Sequence, residues 1–317
     1  MGMKKVLVDI AIIALAFFLF VVWHQKNVQP SMQAMNNKRN RDIDIFLITA
    51  DKENQDWRSL YQGALDMAIL MGANLFWEVP DDRSAEEQSE LINRAVDRGV
   101  EAILVAAKEP ALISTAIEDA IAKGVKIIYV DSPPSKGAIT TLATDQYKAG
   151  EKAGQIMITI LEERGKLKGS VGIINIVEEA NAKLREEGFR ITLERDGRFK
   201  LLDTVYVEGG NPDAAQRAAE QLILEHEDLV ALFGTCGGAS IGIGNAIKAS
   251  DNRYVGVGFG KNDTILRLLR DQNLNAIIDE NPYTMGYLGL AEAVAAVKGD
   301  DTGPSYIDTG VSVLVNY

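Results

Sequence analysis

After residue 41, short apolar runs of strand length alternate with longer stretches that carry apolar residues at helical spacing. This alternation is typical of parallel sheets that helices cover on both faces. It begins near residue 43 and again near residue 171, which predicts two doubly wound, Rossmann-like α/β lobes. The predicted strands are 43–49, 74–79, 102–106, 126–130, 140–143, 171–176, 201–207, 229–233, 254–259 and 275–278. The predicted helices are 57–71, 84–98, 110–123, 181–194, 212–225, 239–249 and 263–271.

The first apolar stretch of the chain differs from all the later ones. Residues 10–23 are all apolar, and residues 6–8 extend the run with only Asp9 between them. At about 1.5 Å per residue, a helix over residues 6–23 is about 27 Å long, close to the thickness of a bilayer's hydrocarbon core. Lys4 and Lys5 precede the run, so the positive-inside rule leaves the amino terminus in the cytoplasm. The pattern predicts an N-terminal transmembrane helix.

A secretory signal that is removed after export is the alternative interpretation, because it shares the basic start and the apolar core. The run ends in bulky residues up to Trp23, without the small residues of a cleavage site and without a cysteine close behind that could carry a lipid. The pattern therefore favours an uncleaved single-pass anchor in the cell membrane. The folded lobes are then expected on the extracytoplasmic side.

The chain divides into four predicted parts. Residues 1–24 form the cytoplasmic start and the anchor, and residues 25–41 form a polar, aperiodic linker. Residues 42–144 together with 281–305 form the first lobe. Residues 145–280 together with 306–317 form the second lobe.

Composition and charge argue against several classes of function. The net charge of -12, with no compensating basic stripe, argues against binding to nucleic acid. Cys236 is the only cysteine and the chain has two histidines. The chain therefore has too few of these residues for a cysteine- or histidine-based metal cluster, a redox site or a Ser-His-Asp relay. We expect no metal, no cofactor and no catalytic activity. An enzyme that uses two carboxylates, as glycosidases do, is the alternative because acidic residues are plentiful.

Polar side chains follow several of the predicted strands, where doubly wound sheets bind their ligands. Asn54, Asp131, Asn181, Arg185 and Asn262 offer hydrogen bonds, and Trp57 offers a flat apolar face. Sugars need both, because their hydroxyls require fixed partners and their C–H faces pack on aromatic rings. The simpler alternatives are that Trp57 packs at a helix start, that Arg185 pairs with Glu186 or Glu187, and that Asp131 caps a turn.

Six short motifs occur in a fixed order along the two units. They are Asn54-Gln55-Asp56-Trp57 followed by Gly63, residues 98–104, residues 124–131, Thr144-Asp145 followed by Gly150, Arg185-x-x-Gly188-Phe189, and Asn281-Pro282-Tyr283-x-x-Gly286. In this order they resemble the ribose/galactose-type periplasmic sugar-binding proteins, which have the type I solute-binding fold, from residue 43 to the end. The resemblance implies that the lobes close around a sugar about a hinge of three chain crossings, near Asp145, Glu280 and Tyr306.

The chain departs from this family at several positions of the second lobe. Cys236 stands where the family usually has asparagine, Gly260 where it has aspartate, and Glu280 where a hinge glutamine is common. Lys261, Asn262 and Glu280 are the candidates to replace the missing groups, which implies a ligand unlike ribose or galactose. The alternative is that the sugar pocket has weakened and that the main partner of this chain is another protein. The candidate ligand-binding residues are Asn54, Asp56, Trp57, Asp131, Asn181, Arg185, Cys236, Asn262 and Glu280.

The resemblance implies one of two membrane partners. Anchored sugar-binding proteins relay their occupancy to a sensor kinase, whereas transport components deliver the sugar to an ABC permease. The predicted anchor favours the kinase, because a fixed protein stays beside one receptor. Regulators of the lactose-repressor type share the fold but begin with a helix-turn-helix, and here an apolar segment takes that place.

Overall fold

The computed structural model describes residues 43–82, 84–107, 109–132, 137–177 and 179–316. These residues form two α/β lobes, as the alternating pattern predicted. The predicted anchor at residues 6–23 and the linker at residues 25–41 lie outside the described residues. Within the described ranges, no helix has both the length and the apolar character that crossing a membrane requires.

Strands and helices alternate along most of the described chain. The strands are β1 (Ile43–Ile48), β2 (Ala73–Glu78), β3 (Ala102–Val105), β4 (Lys126–Val130), β5 (Thr140–Ala143), β6 (Gly169–Ile176), β7 (Phe199–Leu201), β8 (Val205–Val207), β9 (Leu229–Gly234), β10 (Val255–Phe259), β11 (Ala276–Glu280), β12 (Tyr306–Asp308) and β13 (Val311–Val315). The helices are α1 (Gln55–Met71), α2 (Ala85–Arg98), α3 (Ser114–Ala122), α4 (Gln146–Glu163), α5 (Ala180–Asp196), α6 (Pro212–Glu225), α7 (Gly237–Ala249), α8 (Asp263–Arg270) and α9 (Pro282–Lys298).

Each lobe is built on one sheet. The first sheet has the strand order β12-β5-β4-β3-β1-β2 and is parallel throughout. The second has the order β13-β11-β10-β9-β6-β7, with β8 also paired to β6, and β13 is its antiparallel edge strand. Parallel strands place all their carboxyl ends at one edge of the sheet, so each lobe has one edge suited to ligands.

Side chains of the central strands alternate between two apolar layers. In β1, Ile45 and Leu47 join the core that α1 and α9 cover, whereas Phe46 and Ile48 join the core under α2 and α3. The second sheet is covered in the same way, by α4 and α5 on one face and by α6, α7 and α8 on the other. Strands buried on both faces explain why the sequence shows them as continuous apolar runs.

The strand predicted at 201–207 is wrong as a single element. Its two ends pair with different parts of β6, as β7 and β8, and the residues between them leave the sheet. In that gap the carbonyl of Leu202 and the hydroxyl of Thr204 accept hydrogen bonds from Arg190. The backbone between β7 and β8 therefore leaves the sheet where it accepts hydrogen bonds from a half-buried arginine on α5.

Three chain crossings join the lobes, and they are hydrogen-bonded to one another. The Asn281 side chain donates to the Thr309 carbonyl at 2.9 Å, and the Thr309 N–H donates to the Ala143 carbonyl at 3.0 Å. The third crossing follows Asp308 instead of lying near Tyr306, because β12 pairs with β5 in the first sheet. Residues 306–308 therefore belong with the strands of the first lobe.

Candidate functional site

Charged side chains from both lobes meet in the space beside the hinge. Asp56 at the start of α1 and Asp131 after β4 come from the first lobe. Arg185 on α5 and Glu280 at the end of β11 come from the second lobe. The charges of Arg185 and Glu280 act on both aspartates, so the four groups are close neighbours. They lie at the carboxyl ends of the sheets, where the sequence predicted a site.

Arg185 is held in place by the second lobe and the hinge. The residue is only 7% exposed. Its Nε donates to Gln146 Oε1 at 2.7 Å, and its two terminal nitrogens donate to the Thr235 carbonyl at 3.2 Å and to Glu280 Oε1 at 2.9 Å. The guanidinium carbon also lies 3.7 Å from the centre of the Phe259 ring. Through these contacts the guanidinium fixes the hinge side of the cleft. The alternative interpretation, in which Arg185 pairs with Glu186 or Glu187, is not what the structure shows.

Glu280 connects two of the three crossings. Besides Arg185, it accepts a hydrogen bond from Gln146 Nε2 at 2.5 Å. Gln146 opens α4 directly after the first crossing, and Glu280 closes β11 directly before the second. Glu280 thus provides the negative charge that the buried arginine requires.

Asp131 lies at a turn that its neighbours stabilise. Its φ angle of 48° is in the left-handed region, and its N–H donates to the Leu142 carbonyl at 2.8 Å. The next residue, Ser132, is buried, and its hydroxyl accepts from the Ala107 N–H at 2.7 Å and donates to the Val130 carbonyl at 3.0 Å. These bonds join the ends of β3 and β4 beneath the aspartate.

The environment of Asp131 disfavours a negative charge on it. Burial raises the pKa of its carboxyl well above the usual value, and the charges of Glu280, Asp56 and Glu179 raise it further, while Arg185 opposes them. Asp56 lies at the exposed rim of the cleft, yet its pKa is also raised. The larger cause is partial removal of its carboxyl from water, and the smaller is the negative charge of Glu280. Both groups are hydrogen-bond acceptors with a strong affinity for a proton or for a donor on a ligand.

A pocket of about 330 Å³ opens between the lobes and is lined by Asp56 and Glu280 but not by Asp131 or Arg185. Asp56 and Ser59 line it from α1, Tyr283 from α9, and Lys261 and Asp279 from the second lobe. Burial raises the pKa of Asp279 to about 6, with Asp56 and Glu280 adding to the effect, although Lys261 Nζ lies 3.6 Å from its carboxylate. The pocket is of the size expected for a small molecule and has polar groups on several sides.

The remaining predicted site residues contact only neighbouring parts of their own lobe in the contacts described below. The side-chain oxygens of Asn54 and Asn262 cap the first turns of α1 and α8. Trp57 is half-buried and packs against the core of the first lobe, which agrees with the alternative that it packs at the start of a helix. Asn181 is exposed in the first turn of α5, and Cys236 is half-buried directly before α7.

Sequence reasoning missed three polar residues of the cleft, Gln146, Glu179 and Asp279. Glu179 caps α5, the helix that carries Arg185, and accepts from the N–H groups of Asn181 and Ala182, both at 3.2 Å. Gln146 directly follows one hinge motif, and Asp279 directly precedes Glu280. For Gln146 and Asp279 the available signal was their position next to a chain crossing, whereas Glu179 lies next to neither a crossing nor a hinge motif.

The sequence signature of the periplasmic binding protein domain matches residues 45–301. The chain belongs to the periplasmic binding protein family. Members of this family are substrate-binding proteins rather than enzymes. The two-lobe fold that the motifs predicted is thereby confirmed.

Several characterised periplasmic binding proteins are similar to this chain over most of its length. The ribose import binding protein RbsB of Bacillus subtilis is 25% identical over 298 residues, which cover 91% of this chain and 92% of that protein. A sugar-binding protein of a sugar ABC transporter from Bacillus halodurans has the same fold, with a TM-score of 0.78, 22% identity and coverage of 87% and 97%. A chain of the XylFII–LytSN complex has a TM-score of 0.70 at 24% identity, with coverage of 86% and 98%.

Proposed function

We propose that this chain binds a small saccharide in the cleft between its lobes and releases it chemically unchanged. The observation that carries the proposal is the group of charged and hydrogen-bonding side chains that both lobes bring to the cleft, in a family of substrate-binding proteins. The similarity to a ribose import binding protein and to a sugar-binding protein supports a sugar as the ligand class.

In this proposal the first lobe supplies the acceptors for the ligand. Asp131 and Asp56 accept hydrogen bonds from ligand hydroxyls, and Lys261 and the amide groups of Asn181 and Asn262 donate from the opposite lobe. The ring of Trp57 and the side chain of Cys236 add apolar contact at the rim. Arg185 and Glu280 support the site by fixing the hinge side of the cleft.

Closure of the lobes about the hinge is the proposed response to binding. A ligand that contacts both lobes makes its full set of contacts only when they are closed, so it increases the closed population. The three crossings next to Ala143, Glu280 and Asp308 are the segments that change conformation. The closed form differs from the open form in its outer surface, and a membrane protein can recognise that difference.

The proposed partner is a membrane sensor kinase, to which the closed lobes report occupancy. A fixed receptor partner is supported by the anchor predicted at residues 6–23 and by the similar fold of a chain in the XylFII–LytSN complex. An ABC permease is the second candidate, because the ribose relative is an import binding protein. Deleting the gene abolishes uptake of the ligand if the partner is a permease, and abolishes only ligand-dependent phosphorylation if it is a kinase.

A thermal-shift screen of the full-length chain in mild detergent tests the binding proposal. The panel contains neutral pentoses and hexoses together with their amino and N-acetyl derivatives. A ligand at 100 times its Kd stabilises the folded state by about 2.7 kcal/mol, which is readily detected as a rise in Tm. Quantitative recovery of the unchanged ligand supports a binding protein. The absence of any shift across the panel, with a cooperative melt, contradicts the proposal.

Intact-mass measurement of the protein isolated from membranes tests the anchor. We expect the mass of the uncleaved chain, because the apolar run ends in bulky residues without a cleavage site. A mature protein that begins after Trp23 would instead identify the run as a removed signal.

A further inference from the structure

Two large apolar side chains are exposed next to each other at the end of α1. Ile69 is 70% exposed and Leu70 is 69% exposed, whereas the preceding residue, Ala68, is buried in the first lobe. Leu65, one helical turn before Ile69, is half-buried and extends the same surface. Single exposed apolar residues are common on soluble proteins, but neighbouring ones that the described residues leave uncovered favour a partner.

This apolar pair lies where the chain enters the fold. The α1 helix ends at Gly72, and β2 begins directly after it at Ala73. Ala73 is the register partner of Ile43, the first residue of β1, and paired strands lie about 4.8 Å apart. Ile69 and Leu70 therefore lie close to the point where the linker and the predicted anchor at residues 6–23 join the first lobe.

The position of this surface suits it to a bilayer rather than to the cleft. The strand ends that lie here are amino ends, opposite to the carboxyl edge of the sheet that faces the cleft. A flexible chain as long as the predicted linker, residues 25–41, has a mean end-to-end distance of about 20–25 Å. The predicted anchor would thus give the apolar pair a high effective concentration at the lipid surface, where even a weak contact becomes populated.

Charged residues on the same edge of the first lobe are of both signs. At the ends of α2 and α3, Lys123 Nζ lies 4.0 Å from Asp97 Oδ1. Lys298 and Asp300 are exposed on either side of the residue that ends α9. Mixed charge of this kind gives no strong attraction to anionic lipid headgroups. The apolar side chains are therefore the part of this surface that favours lipid.

We infer that the amino edge of the first lobe docks on the surface of a lipid bilayer, with Ile69 and Leu70 in the interfacial region. The inference goes beyond the saccharide-binding function and rests on the proposed anchor. The two side chains leave water on docking, which is also what holds amphipathic helices at a membrane surface. In this orientation the cleft faces away from the bilayer, and the second lobe is the one that moves when the ligand binds.

Quenching by nitroxide-labelled lipids tests the inference with the full-length chain in phosphatidylcholine nanodiscs. In a Cys236→Ser background, a bimane label at Asn74→Cys, an exposed position beside Leu70, should be quenched. A label at Glu227→Cys should not be quenched. That exposed position lies at the amino edge of the second lobe, close along the chain to Leu224, which is 83% exposed. Added phosphatidylglycerol or salt should change neither result, because the contact is apolar.

Serine substitutions link the quenching to the apolar pair. Ile69→Ser or Leu70→Ser should lower the ratio of docked to free lobes about tenfold or more, as measured by quenching of the label at Asn74→Cys. Leu224→Ser, on the second lobe, is the matched control and should leave this ratio unchanged. Thermal melts check that each variant is folded. Quenching that survives both substitutions in the first lobe would overturn the inference.

The outcomes separate the docking from the anchor. An unquenched label at Asn74→Cys, in a chain that stays with the nanodiscs, would overturn the docking and leave the anchor in place. Blue-shifted emission without quenching would show that another copy of the chain covers the surface, which also overturns the docking. A folded chain that leaves the nanodiscs would overturn both. The saccharide proposal is tested independently by the thermal-shift screen.

Discussion

Asp279 lies at the end of β11 with only 8% of its surface exposed, and its negative charge opposes folding. Its pKa is raised from 3.8 to about 6 in the folded chain, mainly by burial. Between these values the folded state binds the proton more tightly than the unfolded state, so this group's contribution to stability falls as pH rises through that window. Above about pH 6 the unfavourable contribution is fully present.

Asp279→Asn removes this titration and should therefore stabilise the chain at neutral pH. Relative to the wild type, the free energy of unfolding should rise by about 2 kcal/mol more at pH 7.5 than at pH 4.5, because the part of the effect that arises between pH 3.8 and pH 4.5 is already present at the lower pH. Thermal melts at both pH values measure the difference, and Asp271→Asn, on an exposed residue, serves as the control. A variant that is less stable than the wild type at pH 7.5 would show that the contact with Lys261 outweighs burial.

Arg185 has a structural role that can be separated from ligand binding. Arg185→Met leaves the Glu280 carboxylate without its cation and the Thr235 carbonyl without the donor it has in Arg185, so we expect a loss of about 3–5 kcal/mol in the free energy of unfolding. Adding Glu280→Gln removes the unpaired charge and should restore part of the loss. Arg195→Met breaks an exposed ion pair with Glu151 and should cost at most about 1 kcal/mol. Equal losses at Arg185 and Arg195 in denaturant titrations would contradict this role.

The alternating pattern predicted Asp131 and Arg185 near the carboxyl edge of the sheets, and Glu280 was predicted from the resemblance, as a residue of the hinge. The sequence could not show which residues form hydrogen bonds and ion pairs with these side chains. The partners of Arg185 lie 39, 50 and 95 residues away along the chain. Asn54 was predicted to contact the ligand, but its side-chain oxygen caps α1. The sequence could not distinguish the two roles, because both use a polar side chain just after a strand.

At the scale of elements, each lobe contains a pair of helices that cross at glycines. A Cβ added at Gly286 on α9 would overlap the backbone carbonyl of Leu60 on α1, and one at Gly63 on α1 would overlap that of Tyr283 on α9. The α4 and α5 helices meet in the same way at Gly150 and Gly188. All four glycines belong to the motifs that indicated the fold, so these motifs mark close helix contacts.

Gly286→Ala should therefore separate α1 and α9 and destabilise the first lobe. A methyl group that overlaps a carbonyl cannot be accommodated by a side-chain rotation, so we expect a loss of about 3 kcal/mol or more in the free energy of unfolding. Gly237→Ala is the matched control, because the nearest atom to its Cβ is 3.8 Å away. Chemical denaturation of both variants measures the difference, and equal stabilities would contradict the proposed contact.

Two of the four helices that carry these glycines, α4 and α9, were not predicted by the sequence analysis. Both α4 and α9 begin directly at a hinge crossing, in polar motifs that indicated the hinge more clearly than a helix. The short edge strands β12 and β13 were not predicted either, because each has only one neighbour in its sheet and little buried surface. Strands inside the sheets were found, since burial on both faces makes them uniformly apolar.

At the scale of the molecule, the account depends on two lobes that close on a saccharide. The hydrogen bonds among the three crossings hold them together as one hinge, and the charged groups of the cleft lie beside it. The predicted anchor would hold this unit near the membrane, where a receptor can distinguish its open and closed forms.

The distance between the lobes, measured by pulsed electron spin resonance, tests this claim most directly. Spin labels at Glu109→Cys and Glu208→Cys, two exposed positions at strand ends of opposite lobes, report closure in a Cys236→Ser background that still binds the ligand. The account predicts a shift of the distance distribution to shorter values when the saccharide from the screen is added at saturating concentration, and no shift with a saccharide that does not bind. An unchanged distribution at saturation would contradict it.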